Sequence, residues 1–467
     1  MSDPDDFSLK RLLDDRRQDQ SQLFEQHVNP QFAKVLQTIG FDRTYVHGEG
    51  SYLWDDQGEK YLDLISGFGM FNMGRNHPVI QQTVEEYTEL NDPWKVSMGL
   101  TPWPGLLGEA LLERVPHLDK VYFANSGTEC VEAALKFARG ATGREGIAYC
   151  SGGFHGLTYG SLSVNSSDYY RDGFGDFLPG PVDVPLNDLD ALERAFDQHA
   201  LAGLLIEPVQ GKGVYPADPE YLLGAQELCR RNDALLMIDE VQTGMGRTGE
   251  LFSYQHVPGL EPDLVLVAKS LSGGMVPVGA VLMRDAVYEN VYTSMDRSVI
   301  HGSTFGQGGL PMACGLASLH VLESDGLIEN AAEQGAVLQK ALEAMVPKYD
   351  LLRDVRGQGL MIGIELGEPE ALNLRTSRSL IRAADGGLFP QSVTMPLLDQ
   401  HNILTQVAGH NKDVIKLLPP LTIDDADVAW FLDAFEETIE DLHRFLGPLR
   451  VTARHLSQSA LRSLSRT

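Results

Sequence analysis

The chain has 467 residues, of which 43% are hydrophobic and 22% are charged, and this length predicts two domains with terminal arms. Its formal net charge of −28 argues against nucleic acid or an anionic membrane as a partner, because phosphate groups would be repelled. No apolar run reaches the roughly 18 residues that a transmembrane helix needs. The N-terminus is too charged for a secretory signal, and the four cysteines lack paired or metal-ligand spacing, so we expect a cytoplasmic protein with reduced thiols.

In chain order, residues 1–75 are predicted to form an N-terminal arm and a segment that packs with the smaller domain. Residues 76–330 then contain short apolar runs that end in polar residues, with helix-like stretches such as "ECVEAALKFAR" and "EYLLGAQELCRRN" between them. The apolar runs are "GIAYC" (146–150), "AGLLIE" (202–207), "ALLMID" (234–239), "DLVLVAK" (263–269) and "VGAVLM" (278–283). This alternation predicts an α/β domain whose mostly parallel sheet is covered on both faces.

Residues 331–450 have a different pattern, which predicts a smaller α+β domain. "AAEQGAVLQKALEAM" is typical of a helix and "GLMIGIEL" of a strand, and "NILTQ" and "VIKLL" are predicted strands joined across "VAGHNKD". A last helix is predicted from Asp425 to Leu446, since apolar residues recur on one face and Gly447-Pro448 ends it. Residues 451–467 have the composition of a loose tail.

Three polar residues stand where predicted parallel strands finish: Glu207, Asp239 and Lys269. Ligands of open α/β sheets bind at the carboxyl ends of strands, so we expect these three side chains to share a site. Taken alone, each has an ordinary explanation, since a lysine after a strand is usually solvated.

Two nucleotide-binding signatures are absent or misplaced. No GxxxxGK[ST] sequence occurs, which disfavours a P-loop NTPase despite the strand "LLMIDE". "GMGRTG" (244–249) matches GxGxxG, but it is separated from its strand, and Pro258 would interrupt a helix that starts there. A dinucleotide-binding fingerprint leads directly into a long helix, so we interpret this match as accidental and not as a dinucleotide-binding motif.

The stretch "NSGTECVEAALKFAR" (125–139) predicts an anion site at the start of a helix. Ser126 or Thr128 can cap the helix, and Gly127 permits close approach of a ligand. Free amides and the helix dipole favour a phosphate there. Standing alone, the same stretch is compatible with an ordinary capped helix.

Pyridoxal phosphate (PLP) is held by three features that this sequence combines: an anion site at a helix start, an aspartate at a strand end and a lysine at a strand end. The lysine forms a Schiff base with the cofactor aldehyde, and the aspartate keeps the pyridine nitrogen protonated, so that the ring becomes an electron sink. An aromatic side chain must cover the ring, and "GGFHG" (152–156) supplies Phe154.

The motifs "FANSGTECVEAALKFAR", "GGFHG", "IEPVQG", "IDEVQTGMGRTG", "PDLVLVAKSLSGG" and "HGSTFG" occur in this order. With them the chain resembles, from about residue 30 to 446, the class III aminotransferases of PLP fold type I. The reading "DEVQTG" is similar to ordinary transaminases rather than to the "DEVMTG" of glutamate-semialdehyde aminomutases or the "DEAQTG" of dialkylglycine decarboxylases. "TFGQGGLP" (304–311) departs from the more usual GGNP turn, which puts the shape of that loop in doubt.

The resemblance implies a homodimer with active sites at the subunit interface. It also implies the residues that contact the cofactor: Lys269 as Schiff-base lysine and proton carrier, Asp239 on the pyridine nitrogen, Gln242 on the ring hydroxyl, Gly127 and Thr128 on the phosphate, Phe154 stacked on the ring, and His155 beside it. Thr304 would reach the phosphate from the other subunit.

Within the class, "SGFGMFNMGRNHP" (66–78) resembles the putrescine and ornithine type. Phe68, Met70, Phe71 and Trp94 would line an apolar substrate channel, although core packing explains Met70 and Phe71 equally well. These substrate residues favour a diamine, an ω-amino compound or a hydrophobic amine as donor.

The family also implies a role for Glu207, which neutralises a carboxylate-binding arginine when no α-carboxylate is bound. That arginine's position is Lys416 in this chain. Alternation along "VIKLL" predicts Lys416 at the cleft wall, with Ile415 and Leu417 on the opposite face. Lysine is a point charge rather than a two-pronged donor, so we expect weaker recognition of amino acids and a direct Glu207–Lys416 pair in the amine-binding state.

Two alternatives stay open, and a third is disfavoured. The enzyme could be an acetylornithine or ornithine-type amino-acid transaminase, or a PLP-dependent isomerase or racemase that acts on one substrate. A PLP-fold protein with only a binding or regulatory role is disfavoured, because a degenerate copy would usually have lost Lys269.

Overall fold

The computed structural model describes residues 7–368, 388–410 and 412–443. Its strands are β1 (Tyr45–Glu49), β2 (Tyr52–Asp55), β3 (Lys60–Asp63), β4 (Lys120–Ala124), β5 (Gly146–Cys150), β6 (Pro181–Val184), β7 (Leu201–Ile206), β8 (Val209–Gln210), β9 (Tyr215–Pro216), β10 (Leu235–Asp239), β11 (Leu264–Val267), β12 (Gly279–Met283), β13 (Leu352–Gln358), β14 (Met361–Leu366), β15 (Ile403–Leu404), β16 (Gln406–Val407) and β17 (Val414–Leu417).

The α-helices of the described residues are Leu9–Arg16, Gln20–His27, Pro30–Ile39, Ser66–Gly69, Pro78–Glu89, Trp103–Leu112, Gly127–Thr142, Tyr159–Ser163, Asp168–Arg171, Leu189–Gln198, Pro219–Arg231, Asp285–Val291, Gly309–Ser324, Leu327–Met345, Leu388–His401 and Asp425–His443. Short 3-10 helices occupy Arg17–Asp19, Ser253–His256, Lys269–Ser272, Met295–Arg297 and Val346–Lys348. Across the described part of the chain, no helix combines the length and the apolar character needed to cross a membrane.

A seven-stranded sheet in the order β4-β12-β11-β10-β7-β5-β6 forms the centre of the molecule. Its strands run parallel except β12, which lies antiparallel between β11 and β4. Strand β12 follows β11 after residues 268–278, a connection shorter than the dozen or more residues that a helical crossover takes. The prediction of strands at "GIAYC", "AGLLIE", "ALLMID", "DLVLVAK" and "VGAVLM" is confirmed, with a reversed direction for the last.

The sheet is buried on both faces, as the continuous apolar runs predict. Strands β5, β7, β11 and β12 have every residue buried. One face packs in a cluster with helix Gly127–Thr142, and the opposite face joins the main core with helices Pro219–Arg231 and Gly309–Ser324. This burial fixes the strand ends that carry the polar side chains.

The C-terminal strands form a second sheet in the order β13-β14-β17-β16. Here "VIKLL" is a strand as predicted, paired with β14 and β16. The predicted single strand "NILTQ" is wrong: β15 pairs with β3 beside the N-terminal hairpin, and only Gln406 continues into β16. The last helix extends through His443, and its predicted end at Leu446 lies outside the described residues, as does the predicted tail 451–467.

The predicted domain limits at 75/76, 330/331 and 450/451 remain predictions. Helix Leu327–Met345 runs across the second of them. The N-terminal hairpin β1-β2-β3 shares a sheet with β15, so the segment before residue 76 and the C-terminal part of the chain are connected by hydrogen bonds.

Candidate active site

Three neighbouring parallel strands carry polar side chains at their carboxyl ends. Asp239 is the last residue of β10, Glu207 follows β7 directly, and Lys269 comes two residues after β11. Strand β10 lies between β7 and β11 in the sheet, so the three residues meet at one edge, as predicted. The described residues contain no group of three or more His, Cys, Asp or Glu side chains that could hold a metal ion.

Asp239 is buried and held by two hydrogen bonds. Its Oδ2 lies 2.7 Å from Nδ1 of His155, and its Oδ1 accepts from the Val241 amide at 3.0 Å. Burial alone would lower the pKa of His155, but the hydrogen bond and the charge of Asp239 outweigh it and raise that pKa. The hydrogen bond joins the two buried side chains, and His155 thereby fixes the position of Asp239.

His155 is in turn held through its backbone. Its amide donates to Oδ1 of Asn165 at 2.7 Å, and Nδ2 of Asn165 donates to the Gly156 carbonyl at 2.7 Å. The place of His155 beside the cofactor ring stays a prediction, and in the structure its Nδ1 is hydrogen-bonded to Asp239. Asn165 was missed, because an asparagine ten residues beyond the motif carries no signal in a single sequence.

Lys269 begins a short 3-10 helix with a left-handed backbone, φ +47°. Burial lowers the pKa of its ammonium, and nearby Lys212 acts in the same direction, while Asp239 and Glu207 oppose the shift. A lysine with a depressed pKa carries a larger fraction of neutral amine, which is the nucleophilic form.

The helix Gly127–Thr142 begins at the same edge of the sheet, with Ser126 as its N-cap through a 3.3 Å bond from the Glu129 amide. A Cβ at Gly127 would lie 2.7 Å from Cγ1 of Val241, so only glycine fits there. The first amides of a helix have no intrahelical partner and can bind an anion.

Hydroxyl groups gather beside this helix start. The Thr128 hydroxyl lies 2.7 Å from the hydroxyls of both Thr158 and Ser161, and the Glu132 carboxylate accepts from the Gly160 amide at 2.9 Å. Sequence reasoning found Thr128 but missed Thr158 and Ser161, which come from a loop that only the fold brings to the helix. The cluster places three hydroxyl groups beside the predicted anion site, where Thr158 also donates to the Glu132 carboxylate.

Glu207 is buried, and its carboxylate is bound to the backbone. Oε1 accepts from the Phe154 amide at 2.8 Å and Oε2 from the Gly211 amide at 2.7 Å. Burial raises the pKa of Glu207, with opposition from His155 and from these two amides. The carboxylate thus joins the loop that bears Phe154 to the loop that follows β8.

Lys416 is buried in β17 and makes polar contacts at the cleft wall. Its Nζ donates to the Gly211 carbonyl at 2.7 Å and to Oε1 of Gln242 at 3.1 Å. Burial, together with the charges of Lys212 and Lys269, lowers the pKa of Lys416 to about 7. The predicted alternation holds, since Ile415 and Leu417 belong to the main core.

The predicted direct pair between Glu207 and Lys416 is not formed in this structure. The Gly211 peptide lies between the two groups, with its amide donating to Glu207 and its carbonyl accepting from Lys416. Each side chain bonds to one backbone group of Gly211, Glu207 to the N–H and Lys416 to the C=O, so the two side chains need not be in contact.

Gln242 connects the strand β17 to the N-terminal segment at residues 66–69. Its Nε2 donates to the Phe68 carbonyl at 2.9 Å, and Ser66 Oγ donates to the Leu418 carbonyl at 2.6 Å. Phe68 has a left-handed backbone, φ +62°, and its side chain is 60% exposed. This segment places Phe68 at the open side of the site.

The other predicted channel residues are distributed differently. Phe71 lies under the Arg75 guanidinium at 4.1 Å, and Met70 is half-buried beside Gly67. Trp94 packs edge-on against Phe305 with ring centroids 5.6 Å apart. Within one chain, Trp94 is therefore associated with the loop at 303–306 rather than with Phe68.

Thr304 is exposed on that loop. Lys95 holds the loop through its Nζ, which donates to the carbonyls of Thr304 at 2.7 Å and Gly306 at 2.6 Å. In the "TFGQGGLP" segment, Gln307 takes a left-handed backbone, φ +67°, before the helix at Gly309. The loop thus turns back without the GGNP sequence.

Phe154 is half-buried at the mouth of the site, with its ring edge-on to Tyr170 at 5.4 Å between centroids. The Lys212 ammonium lies 4.6 Å from the Phe154 centroid. Phe154 is close to the strand-end residues because its amide is bonded to Glu207.

The GxGxxG match at 244–249 is a structural turn, as the sequence predicted. No long helix comes after it, only the 3-10 turn Ser253–His256. Arg247 is buried there and donates to Asn72 Oδ1 at 2.6 Å and to the Leu360 carbonyl at 3.1 Å. The motif holds separate parts of the chain together.

The residues present fit pyridoxal phosphate. The close approach permitted by Gly127 and the hydroxyl cluster suit its phosphate, the buried Asp239 suits a protonated ring nitrogen, and Lys269 supplies an amine. These features meet at one edge of the sheet, although they come from distant parts of the chain.

Comparisons with known proteins agree with this arrangement. The family model for aminotransferase class-III matches residues 37–439. Among curated proteins, the chain is 37% identical to acetylornithine aminotransferase of Bacillus cereus over 397 residues, covering 84% of this chain and 94% of that protein. It is 33% identical to Aminotransferase PigE of Serratia sp. over 466 residues, covering 93% of this chain but only 54% of that longer protein.

A solved amine transaminase from an uncultivated Pseudomonas species, in its PLP-bound form, superposes with a TM-score of 0.76. The two are 27% identical, and the match covers 85% of this chain and 94% of that one. The family match, the two relatives and this structural similarity all indicate the same protein family. The chain belongs to the class III aminotransferases, which use pyridoxal phosphate as their cofactor.

Proposed function

We propose that the enzyme transfers an amino group from a diamine, ω-amino compound or hydrophobic amine to a keto acid or a carbonyl compound. One observation supports amino-group transfer above all others. Lys269, Asp239 and the helix start at Gly127 lie together at one edge of the sheet. When bound, PLP supplies the electron sink and carries the amino group between the two substrates.

The chain's own residues would have separate tasks. Gly127 and Thr128 would hold the phosphate at the helix start, and Phe154 would cover the ring. Asp239, fixed by His155, would hold a proton on the ring nitrogen, and Gln242 would orient the ring hydroxyl. Lys269 would attach the cofactor and then move a proton at the reacting carbon of the substrate.

Lys416 is the basis for the choice of donor. It stands where we expect a carboxylate-binding group, but it is a buried lysine whose pKa is lowered to about 7, so its charge is only partial near neutral pH. One charge-assisted bond is worth roughly 1.5–3 kcal/mol, and a partly charged lysine would provide less. Weak recognition of an α-carboxylate favours donors that lack one.

The matched relatives support a second candidate, an amino-acid transaminase of the acetylornithine type, because the Bacillus cereus protein carries that name. A donor panel separates the two proposals. Putrescine, cadaverine, ornithine, acetylornithine, β-alanine and a hydrophobic amine are each tested against pyruvate and 2-oxoglutarate. Turnover of putrescine, cadaverine, β-alanine or the hydrophobic amine above ornithine and acetylornithine supports our proposal, and preference for ornithine or acetylornithine overturns it.

Lys416→Ala gives an independent test. If Lys416 distinguishes donors from acceptors, the variant alters the ratio of kcat/KM values for the keto acid and the amine. Unchanged efficiencies for both substrates would show that Lys416 has no part in specificity. An isomerase or racemase would instead convert one substrate without any acceptor, which chiral chromatography of single-substrate incubations detects.

We also propose that the working unit is a homodimer in which Thr304 reaches the partner's cofactor site. Large apolar side chains are exposed in the single chain around that loop and its neighbours: Met98 is 98% exposed, Leu100 100%, Val299 85% and Phe305 67%. Apolar exposure of this extent is typical of a protein interface. The four cysteines are free and buried, which supports our proposal of a reducing, cytoplasmic setting.

A further inference from the structure

Lys212 is a cation beside the active site that rests on aromatic rings. It lies between Gly211 and Gly213, directly after β8, and is half-buried. Its Nζ is 4.6 Å from the Phe154 ring centroid and 5.4 Å from that of Tyr170. Among the residues that the structure describes, no carboxylate lies within ion-pair distance of it.

Glu207, a buried carboxylate of this region, is already fully engaged. Both of its oxygens accept from backbone amides, at Phe154 and Gly211, the residue adjacent to Lys212. Because those bonds build the loops themselves, Glu207 has little freedom to turn towards Lys212. The ammonium consequently rests on two ring faces.

Gly211 connects Lys212 to Lys416. The Lys416 ammonium donates to the Gly211 carbonyl at 2.7 Å, and Lys212 is the next residue in the chain. The two cations are close enough that the charge of Lys212 disfavours protonation of Lys416 and of Lys269. Like charges held together in a partly buried cleft are an unfavourable arrangement that a bound anion relieves.

The two cations differ in depth. Lys416 is 5% exposed at the cleft wall beside Gln242, whereas Lys212 is half-buried and covered on one side by the Gly409 loop. A Cβ at Gly409 would lie only 3.1 Å from Cδ of Lys212, so the absence of a side chain there makes room for the lysine stem. Lys416 is thus the more deeply buried of the two cations.

We propose that Lys212 binds the distal carboxylate of a dicarboxylic keto acid, whose other carboxylate lies nearer Lys416. This inference rests on the proposed function, since it assigns the acceptor of the same transamination. A cation held on ring faces is more weakly bound than one in a charge-assisted hydrogen bond. An incoming carboxylate can therefore draw the Lys212 ammonium from Phe154 and Tyr170.

Half-reactions of the PLP-loaded enzyme test the assignment. Lys212→Met keeps the length of the side chain and removes its charge, and Lys212→Arg keeps the charge. With Lys212→Met we expect kcat/KM for 2-oxoglutarate to fall about tenfold or more, the worth of one charge-assisted bond. The pyruvate half-reaction and the amine half-reaction should change by a much smaller factor, which reflects only the altered protonation of Lys269 and Lys416. Lys212→Arg retains most of the 2-oxoglutarate activity.

The matched control is Lys60→Met. Lys60 also lies over a tyrosine ring, with its Nζ 3.3 Å from the Tyr52 centroid, but it belongs to the N-terminal hairpin. We expect this variant to behave as wild type in all three half-reactions. It corrects for the general effect of removing one positive charge and one cation–π contact.

A second readout is independent of turnover. The dissociation constant of glutarate, a non-reactive dicarboxylate, is measured by calorimetry on the same variants. We expect Lys212→Met to weaken glutarate binding about tenfold and to reduce its dependence on salt. Unchanged glutarate affinity in Lys212→Met overturns the inference.

The outcomes are distinguishable. If wild type turns over with none of the donor–acceptor pairs, the proposed function fails, whereas glutarate binding still decides the role of Lys212. Equal losses for 2-oxoglutarate and pyruvate place Lys212 at the carboxylate common to both and overturn the dicarboxylate specificity. Equal losses in keto acid and amine half-reactions show that Lys212 has only a structural role.

Discussion

Lys416 is a buried ammonium in an otherwise apolar strand. In the sequence, it is the resemblance to a family that places this lysine at the cleft. In the structure, two polar contacts hold its charge away from water, at the Gly211 carbonyl and at Gln242. Burial and two neighbouring lysines make its protonation responsive to pH near neutrality.

This titration gives a prediction for anion binding by the cofactor-free protein. The pKa of Lys416 is lowered from the ordinary 10.5 to about 7, so the site loses a positive charge as the pH rises through about 7. Glutarate affinity measured by calorimetry at pH 6, 7, 8 and 9 should therefore fall with rising pH. The groups that influence Lys416 are Lys212, Lys269, Arg247 and, with opposite sign, Glu207.

Lys416→Arg is the control, because a guanidinium remains charged throughout this range. The variant should lose the part of the pH dependence that Lys416 causes and keep the part due to Lys269. Identical pH profiles in wild type and Lys416→Arg would contradict our account of Lys416.

His155 is predicted to act through Asp239. In His155→Ala, the buried Asp239 side chain loses its hydrogen-bond partner, which costs about 1–3 kcal/mol, so we expect PLP to bind some tenfold or more weakly. The affinity is measured by fluorescence titration of the apoenzyme. His117→Ala, a histidine that packs on Tyr254 away from the site, should bind PLP as wild type does; equal losses in both variants would refute the specific role of His155.

The helix Gly127–Thr142 shows how an element positions the site. Its first residue lies against Val241, directly beyond Asp239 and β10, so the anion site and the strand end are in contact. This contact requires glycine, since a Cβ would come within 2.7 Å of Val241 Cγ1.

Gly127→Ala should consequently displace the helix start. We expect a loss of about 1–3 kcal/mol in the free energy of unfolding, typical of overpacking, together with weaker PLP binding. Urea denaturation with and without PLP measures both effects. Gly105→Ala, in helix Trp103–Leu112 with open space around the new methyl group, should be neutral or stabilising. A Gly127→Ala protein as stable as wild type would show that the helix start tolerates a side chain.

Strands that consist of continuous apolar runs were predictable from the sequence. The direction of a strand and the strand with which it pairs were not. Strands β5, β7, β10, β11 and β12 follow from apolar runs of strand length, whereas the direction of β12 depends on a connection too short for a crossover. "NILTQ" is divided between two sheets, because residues 403–404 pair with β3 and 406–407 with β17. Pairing across hundreds of residues leaves no local signal in one sequence.

Among the residues of the candidate site, those with a local sequence signal were predictable and those that depend on contacts made by the fold were not. Asp239, Lys269 and Glu207 were predictable from their places at strand ends, and Gly127 from the cap that precedes a helix. Asn165, Thr158 and Ser161 were missed, since each acts through contacts that the fold creates. The Gly211 peptide between Glu207 and Lys416 was equally invisible, because a backbone group has no sequence signature.

The whole molecule is strongly acidic, with a net charge of −28, yet lysines 212, 269 and 416 gather at one cleft. A local cationic site in a negative protein attracts small anions only at short range, because the surrounding acidic groups oppose them at a distance. This contrast fits a small phosphorylated cofactor and acidic substrates better than a polyanionic partner.

Assembly is predicted to depend on the exposed apolar residues around the loop at 303–306. Leu100→Asp introduces a charge at a fully exposed leucine and should shift a dimer towards monomers in sedimentation velocity, with a parallel loss of activity. Val337→Asp, on helix Leu327–Met345, provides an exposed apolar control. A wild-type protein that sediments as a monomer at micromolar concentration would contradict the homodimer.

The central claim is that Lys269, among three lysines gathered at the site, attaches pyridoxal phosphate. Reduction of the PLP-loaded protein with borohydride, followed by proteolysis and mass spectrometry, fixes the cofactor to the lysine that holds it. Our account predicts the modification on the peptide that contains Lys269, and its loss together with the yellow colour in Lys269→Ala. Modification of Lys212 or Lys416 instead, or a colourless wild-type protein after incubation with PLP, would contradict it.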